Sequence, residues 1–281
     1  MNTVKTALLL GLLTGVLMVG GEALGGRNGL YLGLLIAIAT NFFSYFFSDR
    51  LALMSYSAEP VTPQENSDVF SRVSSLVYNA AQKMGLPRPK LWLIQEDSPN
   101  AFATGRNPEH ASVAFTSGIL QLMNDRELEG VIMHELGHVK HRDILISSVA
   151  ATLAAAITFL ARAAMWFGPR GDDEEEGGML GAILMMILAP LAAMLIQMAI
   201  SRTREYDADK ASANYTGDPG ELISALKKLE TWSQRIPMNA VPATAHLFIM
   251  KPANLMNLFS THPRTEDRIA RLEALQRVHA R

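Results

Sequence analysis

The stretch NDRELEGVIMHELGH, running from Asn124 to His138, decides the reading of the whole chain. Asn124 and Glu127 have the spacing of a capping box, with Asn124 as N-cap and Glu127 reaching back to its amide. Leu128, Val131, Ile132 and Leu136 then recur at helical intervals, so the segment predicts a helix with one apolar face. His134 and His138, at i and i+4, project from the same side of that helix, close enough to chelate one ion. Glu135 sits one step round, where its carboxylate reaches a water on the ion rather than the ion itself. Neutral imidazoles suit zinc, and a catalytic zinc keeps one position open for water. The pattern therefore points to metal-assisted hydrolysis. The bland alternative is a surface helix carrying two unconnected histidines.

Outward from this helix, the chain is apolar in blocks. Of its 281 residues 49% are hydrophobic and 19% charged, more apolar than an average soluble domain. There is no Cys, so disulfides and thiolate metal sites are excluded and a metal must be held by His and carboxylates. A net charge of −2 gives no argument for nucleic acid as a partner. Four apolar stretches run from about Ala7 to Gly20, Gly29 to Phe47, Ile144 to Phe167 and Met179 to Ile200. A spanning helix needs about 20 apolar residues, so the last three qualify and the first is borderline. The first, with Lys5 before it and small residues after it, also fits a cleaved signal peptide. A second apolar run follows within a few residues, and a hairpin accounts for both. Gly11 and Gly15, four apart, suit close helix packing in such a hairpin.

The expected organisation is a transmembrane hairpin at 5–48, a soluble part at 49–143, a second hairpin at 144–200 and a second soluble part at 201–281. The acid run Asp172 to Glu176 reads as a solvated loop between the last two spans, with a cation-binding site as the alternative. Lys5, Arg50, Lys140, His141, Arg142, Arg202 and Arg204 all fall on one side of four spans, which makes that side cytoplasmic. In the soluble parts, 64–84 reads as an amphipathic helix stopped by Gly85-Leu86-Pro87. Residues 90–95 and 111–116 read as strands, with 100–105 a third. Helices are expected over 201–215, 220–234 and 263–276, and 235–260 has no clear period.

A third ligand must come from His, Asp or Glu. His138 lies about six residues before the third apolar stretch and Glu205 about five after the fourth. The ends of a hairpin emerge on one face, which brings these two positions together. Glu205 and Asp209 share a helical face; the longer Glu could ligate and the Asp could brace a histidine ring. Ordinary solvated carboxylates are the alternative.

His134-Glu135-Leu136-Gly137-His138, followed by Glu205-Tyr206-Asp207-Ala208-Asp209, resembles the membrane-embedded gluzincin zinc metalloproteases. These include bacterial heat-shock membrane proteases and, more distantly, the CAAX prenyl proteases. Asn100 to Gly105 looks like the strand preceding their active site, and Ser260-Thr261-His262-Pro263 with Arg268 like their downstream element. The resemblance implies one Zn2+ per chain on His134, His138 and Glu205, with Glu135 as general base. It implies His262 beside the oxyanion, and Asp209, Asn100 and Arg268 in supporting or substrate-binding roles. The expected fold is mainly α, with about four transmembrane helices plus a cytoplasmic α+β gluzincin-like metalloprotease domain with a small β-sheet. The resemblance further implies a multi-pass protein of the bacterial inner membrane, both termini and the active site cytoplasmic. Its substrates would be misfolded or damaged membrane proteins, in a stress response. A dedicated processing protease, or a membrane scaffold or transporter with a structural zinc, are the competing readings. His110, His141, His246 and His279 have no partner identifiable from the sequence and read as structural or solvated.

Overall fold

The computed structural model describes residues 2–167, 202–233, 235–236, 248–249 and 263–279. These divide into two compact units. One takes residues 2–47 and 146–167; the other takes 48–145 and the described residues from 202 onward.

The first unit is built on α1 (Asn2–Ser55), which is broken at Gly25 and Gly26. Gly26 has φ 58° and ψ −144°, a conformation open to glycine and costly for a residue with a Cβ. The two limbs fold back on each other closely enough to exclude side chains at the crossing. A Cβ on Gly21 would lie 2.3 Å from the Gly29 carbonyl oxygen, and one on Gly33 would lie 2.4 Å from that of Leu17. Gly11 and Gly15, which the spacing nominated for this contact, have nothing within 4 Å of a built Cβ among the described residues. The close approach is nearer the turn, where the limbs converge. Further out, Asn41 Nδ2 donates to Thr14 Oγ1 (2.9 Å) and to the Leu10 carbonyl (3.3 Å). The start of α5 (Asp143–Phe167) adds Leu153 and Ile157 to a core of Leu13, Leu17 and Ala37. Leu8, Leu32, Leu35 and Phe43 remain largely exposed. The stretch Val4–Phe47 is long and apolar enough to cross a membrane. The fourth apolar stretch and the acid loop before it lie outside the described residues.

The second unit pairs a small mixed sheet with helices. Its strands are β1 (Glu59–Pro60), β2 (Lys90–Ile94), β3 (Ala101–Thr104) and β4 (Ser112–Thr116), in the order β1-β2-β4-β3. β2 and β4 run parallel, with Trp92 opposite Ala114; β3 runs antiparallel to β4, with Ala103 opposite Val113. β3 is thus an edge strand. Helix α2 (Ser67–Met84) buries Val73, Val77, Ala80, Ala81 and Met84, and Gly85 ends it in the left-handed conformation. It starts three residues later than the apolar pattern suggests. The short α3 (Ser117–Leu122), absent from the sequence reading, is launched by Thr116 Oγ1, which accepts from the Ile119 amide.

The organising element is α4 (Asp125–His141), most of which is buried. The expected capping box is present. Asn124 Oδ1 accepts from the Glu127 amide and Glu127 Oε2 accepts from the Asn124 amide, both at 3.0 Å. Lys228 and Ser224 of α7 (Pro219–Ser233) also donate to the Glu127 carboxylate, so the cap fixes a neighbouring helix as well. Two glycines let other helices approach α4. Gly130 lies against the backbone of Leu222 on α7, and Ser212 Oγ donates to its carbonyl. A Cβ on Gly137 would lie 3.2 Å from Ala208 Cα and 3.3 Å from Ala211 Cβ on α6 (Arg202–Thr216). Gly137, the second of the two free positions inside His-Glu-Leu-Gly-His, is therefore a packing residue. Helix α8 (Thr265–His279) packs on α6 and α7 and completes the unit.

Gly21→Ala should push the limbs of α1 apart and cost about 1–3 kcal/mol, the usual range for overpacking. Gly11→Ala, in open space, should be neutral or slightly stabilising through helix propensity. Thermal unfolding of both variants in detergent checks this, and equal melting temperatures would refute the crossing at Gly21. In the second unit, Gly137→Val should displace α6. A shift on the order of 1 Å at a reacting site costs about 10²-fold in rate, read as kcat/KM.

Candidate metal centre

His134 and His138 leave α4 on the side facing α6, where Glu205 stands in the first turn. Nε2 of His134 is 3.3 Å from Nε2 of His138. Glu205 Oε2 is 3.6 Å from His134 Nε2, and its Oε1 is 3.4 Å from His138 Nε2. An ion bound tetrahedrally at about 2.0–2.1 Å from each donor would hold those donors about 3.3–3.4 Å apart. The two histidine nitrogens stand at that spacing, and one oxygen of Glu205 completes a set of three donors within 4.8 Å of one another. The set brings together three residues that the sequence separates by up to 71 positions, and these are the group among the described residues suited to a metal.

The ring orientations are fixed from behind. His134 Nδ1–H donates to Asp209 Oδ1 at 2.9 Å, and His138 Nδ1–H donates to Asp143 Oδ2 at 3.2 Å. With a proton on each Nδ1, both Nε2 lone pairs are left for an ion. Asp209, one turn beyond Glu205 on α6, is gripped by Arg268 of α8 through Nε to Oδ2 (2.9 Å) and Nη2 to Oδ1 (2.6 Å). Arg268 Nη1 also lies 3.8 Å from Glu205 Oε2. Sequence reading did not find Asp143. It is the nearest carboxylate downstream of His138, which is the signal that could have marked it.

Glu135 turns toward the sheet. Its Oε2 accepts from the Ala103 amide of β3 at 2.9 Å, whereas its Oε1 is buried with no hydrogen-bond partner among the described residues. That bare oxygen is costly unless a water or substrate meets it. Asn100 is buried at the head of β3. Its amide donates to Thr116 Oγ1 and its Oδ1 accepts from the Ala101 amide, contacts that set the start of the strand. On the outer edge of β3 the Ala101 carbonyl accepts from the Ile249 amide (3.2 Å), while Arg268 donates to the Ile249 carbonyl. His110 is exposed and bonded to Asn107 and Arg106. His262 and His246 lie outside the described residues.

Four buried carboxylates, Glu135, Asp143, Glu205 and Asp209, face two guanidiniums, Arg204 and Arg268. The residues thus fit a dication, which with neutral imidazoles would bring the cluster to neutrality. Without it, protons take that part. Burial, reinforced by the Glu205 charge, pushes the Glu135 carboxyl up to about 8. Burial opposes charge on His138, but the Glu205, Asp143 and Glu135 carboxylates outweigh it and hold the ring up at about 9. Burial and the Arg268 charge push His134 down to about 4, so it is neutral and ready to ligate. Burial would raise Asp209, but Arg268 and His134 outweigh it and hold its carboxyl below the usual range.

To ligate, His138 must give up the proton that the surrounding carboxylates favour. At pH 7, below the His138 value, binding should therefore release protons. Affinity should rise with pH up to about 9 and then level off, because protons compete with the ion only while His138 is protonated. Calorimetric zinc titration in buffers of different ionisation enthalpy counts the protons. A count of zero would refute the exchange.

Known proteins show the same combination of elements. Residues 63–276 match the model of peptidase family M48. A protease HtpX homolog of Methylibium petroleiphilum is 50% identical over 285 residues, covering 99% of both chains. Another, from Desulforapulum autotrophicum, is 49% identical over 279 residues, covering 96% of this chain and 89% of its own. The crystal structure of S. mikatae Ste24p is similar in fold, with a TM-score of 0.58 at 16% identity; the match covers 97% of this chain and 65% of that one. The matched region holds both metal-site helices, the sheet edge beside Glu135 and Arg268, and on that footing the chain belongs to peptidase family M48 and is a metalloprotease.

Proposed function

We propose that the protein is a zinc-dependent endopeptidase of a bacterial inner membrane, with His134, His138 and Glu205 holding one Zn2+ and Glu135 acting as general base. The spacing of the three donors carries this reading, together with the buried, unpartnered Glu135 Oε1 beside them. Three protein donors also match a catalytic site, which keeps a position open, better than a closed structural one. When bound, zinc supplies Lewis acidity that lowers the pKa of water and polarises the scissile carbonyl. Glu135 Oε1 takes the proton of the attacking water while the Ala103 amide holds Oε2 and so fixes the carboxylate plane. Glu135 then returns the proton to the leaving amine. His262 is assigned to the oxyanion on the resemblance alone. Asp209 and Arg268 hold His134 in place, and Asn100 shapes the strand beside Glu135.

Peptide substrates lie along β3, adding to its open side. There the Ala101 carbonyl is bonded to Ile249 and the Ala103 amide to Glu135, so an incoming strand exchanges the first bond and leaves the second to hold the base. Four spans, two in each hairpin, keep both termini and the metal centre on the cytoplasmic face. The broken α1 and its exposed apolar side chains support the first hairpin. Misfolded or damaged membrane proteins are the substrates, and proteolytic quality control under stress the role, as in the heat-shock proteases this sequence resembles.

Glu135→Gln and Glu135→Ala should retain zinc at one per chain and lose about 10²–10⁴-fold in cleavage of a casein-type substrate, the usual contribution of a general base. Metal content by atomic spectroscopy and turnover on the purified chain measure both. Unimpaired cleavage by Glu135→Ala would sink the mechanism.

A further inference from the structure

Behind each histidine stands a carboxylate, and behind each carboxylate a guanidinium. On one side the order is His134, Asp209, Arg268. On the other it is His138, Asp143, Arg204, with Asp143 Oδ2 3.2 Å from His138 Nδ1 and Asp143 Oδ1 4.0 Å from Arg204 Nε. Arg204 Nη1 also reaches the Asp143 carbonyl at 3.5 Å. Asp143 is buried. An uninterrupted helix would place it about 140° round the axis from His138, out of reach. The chain avoids this by breaking. Arg142 takes the left-handed conformation (φ 59°, ψ 36°), its amide bonds back to the His138 and Val139 carbonyls, and α5 begins at Asp143. The turn re-aims the first residue of α5 at the ring it would otherwise miss. A carboxylate there is also favoured by the helix N-terminus.

We infer that Asp143 is a positioning residue for the metal centre, fixing the ring of His138 and the tautomer that leaves Nε2 free to ligate. The inference rests on the three-ligand reading above. Arg204, next in sequence to Glu205, brings the guanidinium near Asp143 from the same helix that carries the third ligand. A purely structural Asp143 would hold the α4–α5 turn and leave the ion's affinity alone.

The test uses the full-length chain in detergent, in a Glu135→Gln background that prevents self-cleavage. Zinc affinity is measured by competition with a chromogenic chelator, beside thermal unfolding of the metal-free protein. Asp143→Ala should weaken zinc binding by about 10–100-fold, the range typical of such supporting carboxylates. Asp143→Asn should fall between it and the parent, because an amide oxygen still accepts the Nδ1 proton but carries no charge. His138→Ala, the control, should bind more weakly than either. Parental affinity in both Asp143 variants, with affinity lost in His138→Ala, would overturn the role of Asp143 and leave the ligand set standing. Parental affinity in His138→Ala would overturn the ligand set, and the inference with it. Where Asp143→Ala does not fold, the isosteric Asp143→Asn decides, and parental affinity in it overturns the inference.

Discussion

Burying charge away from water is the constraint on which this structure turns. An unpaired carboxylate in a protein interior is costly enough that it takes up a proton or acquires a partner. The second unit buries four such groups around two histidines. Their mutual geometry is tolerable because each is matched to a guanidinium, a backbone amide or an ion site. Three helices must be drawn close to do this. Gly137 allows α6 to lie against α4, Gly130 does the same for α7, and α8 delivers Arg268 between them. The small residues and the charged ones are two parts of one arrangement: without close helices the charges could not meet, and without compensation they could not be buried.

That arrangement explains how far the sequence could be read. The helix bearing His134 and His138 was legible because its signals are local, namely a capping box four residues wide and an i, i+4 pair. The three longer strands and α2, α7 and α8 followed from periodicity, and α6 as a polar continuation of the fourth apolar stretch, to within a few residues at their ends. Glu205 was reached by resemblance and by the logic of a returning hairpin, neither of which is local. Asp143 was missed because its contact runs through a left-handed residue, and helical spacing carries no information across such a break. The Gly11–Gly15 spacing pointed to the wrong part of the hairpin. Small residues permit close approach but do not say where two limbs converge, which the turn at Gly25–Gly26 decides. β1 has two residues, one of them Pro, and shows no alternation to detect.

Family membership and geometry bear on different questions. A half-identical relative over the full length establishes what class of protein this is. The atoms around Glu135 address how the chain would do that work. The carboxylate is anchored by one oxygen to the edge of the sheet and bare at the other. The amide that holds Glu135 and the carbonyl that meets Ile249 lie on the same open edge of β3, so a peptide added there, as proposed, would share its reference frame with the base.

The two units also interleave along the chain. Each is assembled from two separated segments: the core of the first joins Leu13 and Ala37 to Leu153, and the metal centre of the second joins His134 to Glu205 and Arg268. Synthesis from the N-terminus therefore produces the histidines long before the carboxylate and guanidinium that complete the site. While the ribosome is still making the intervening residues, the nascent chain carries only part of that cluster.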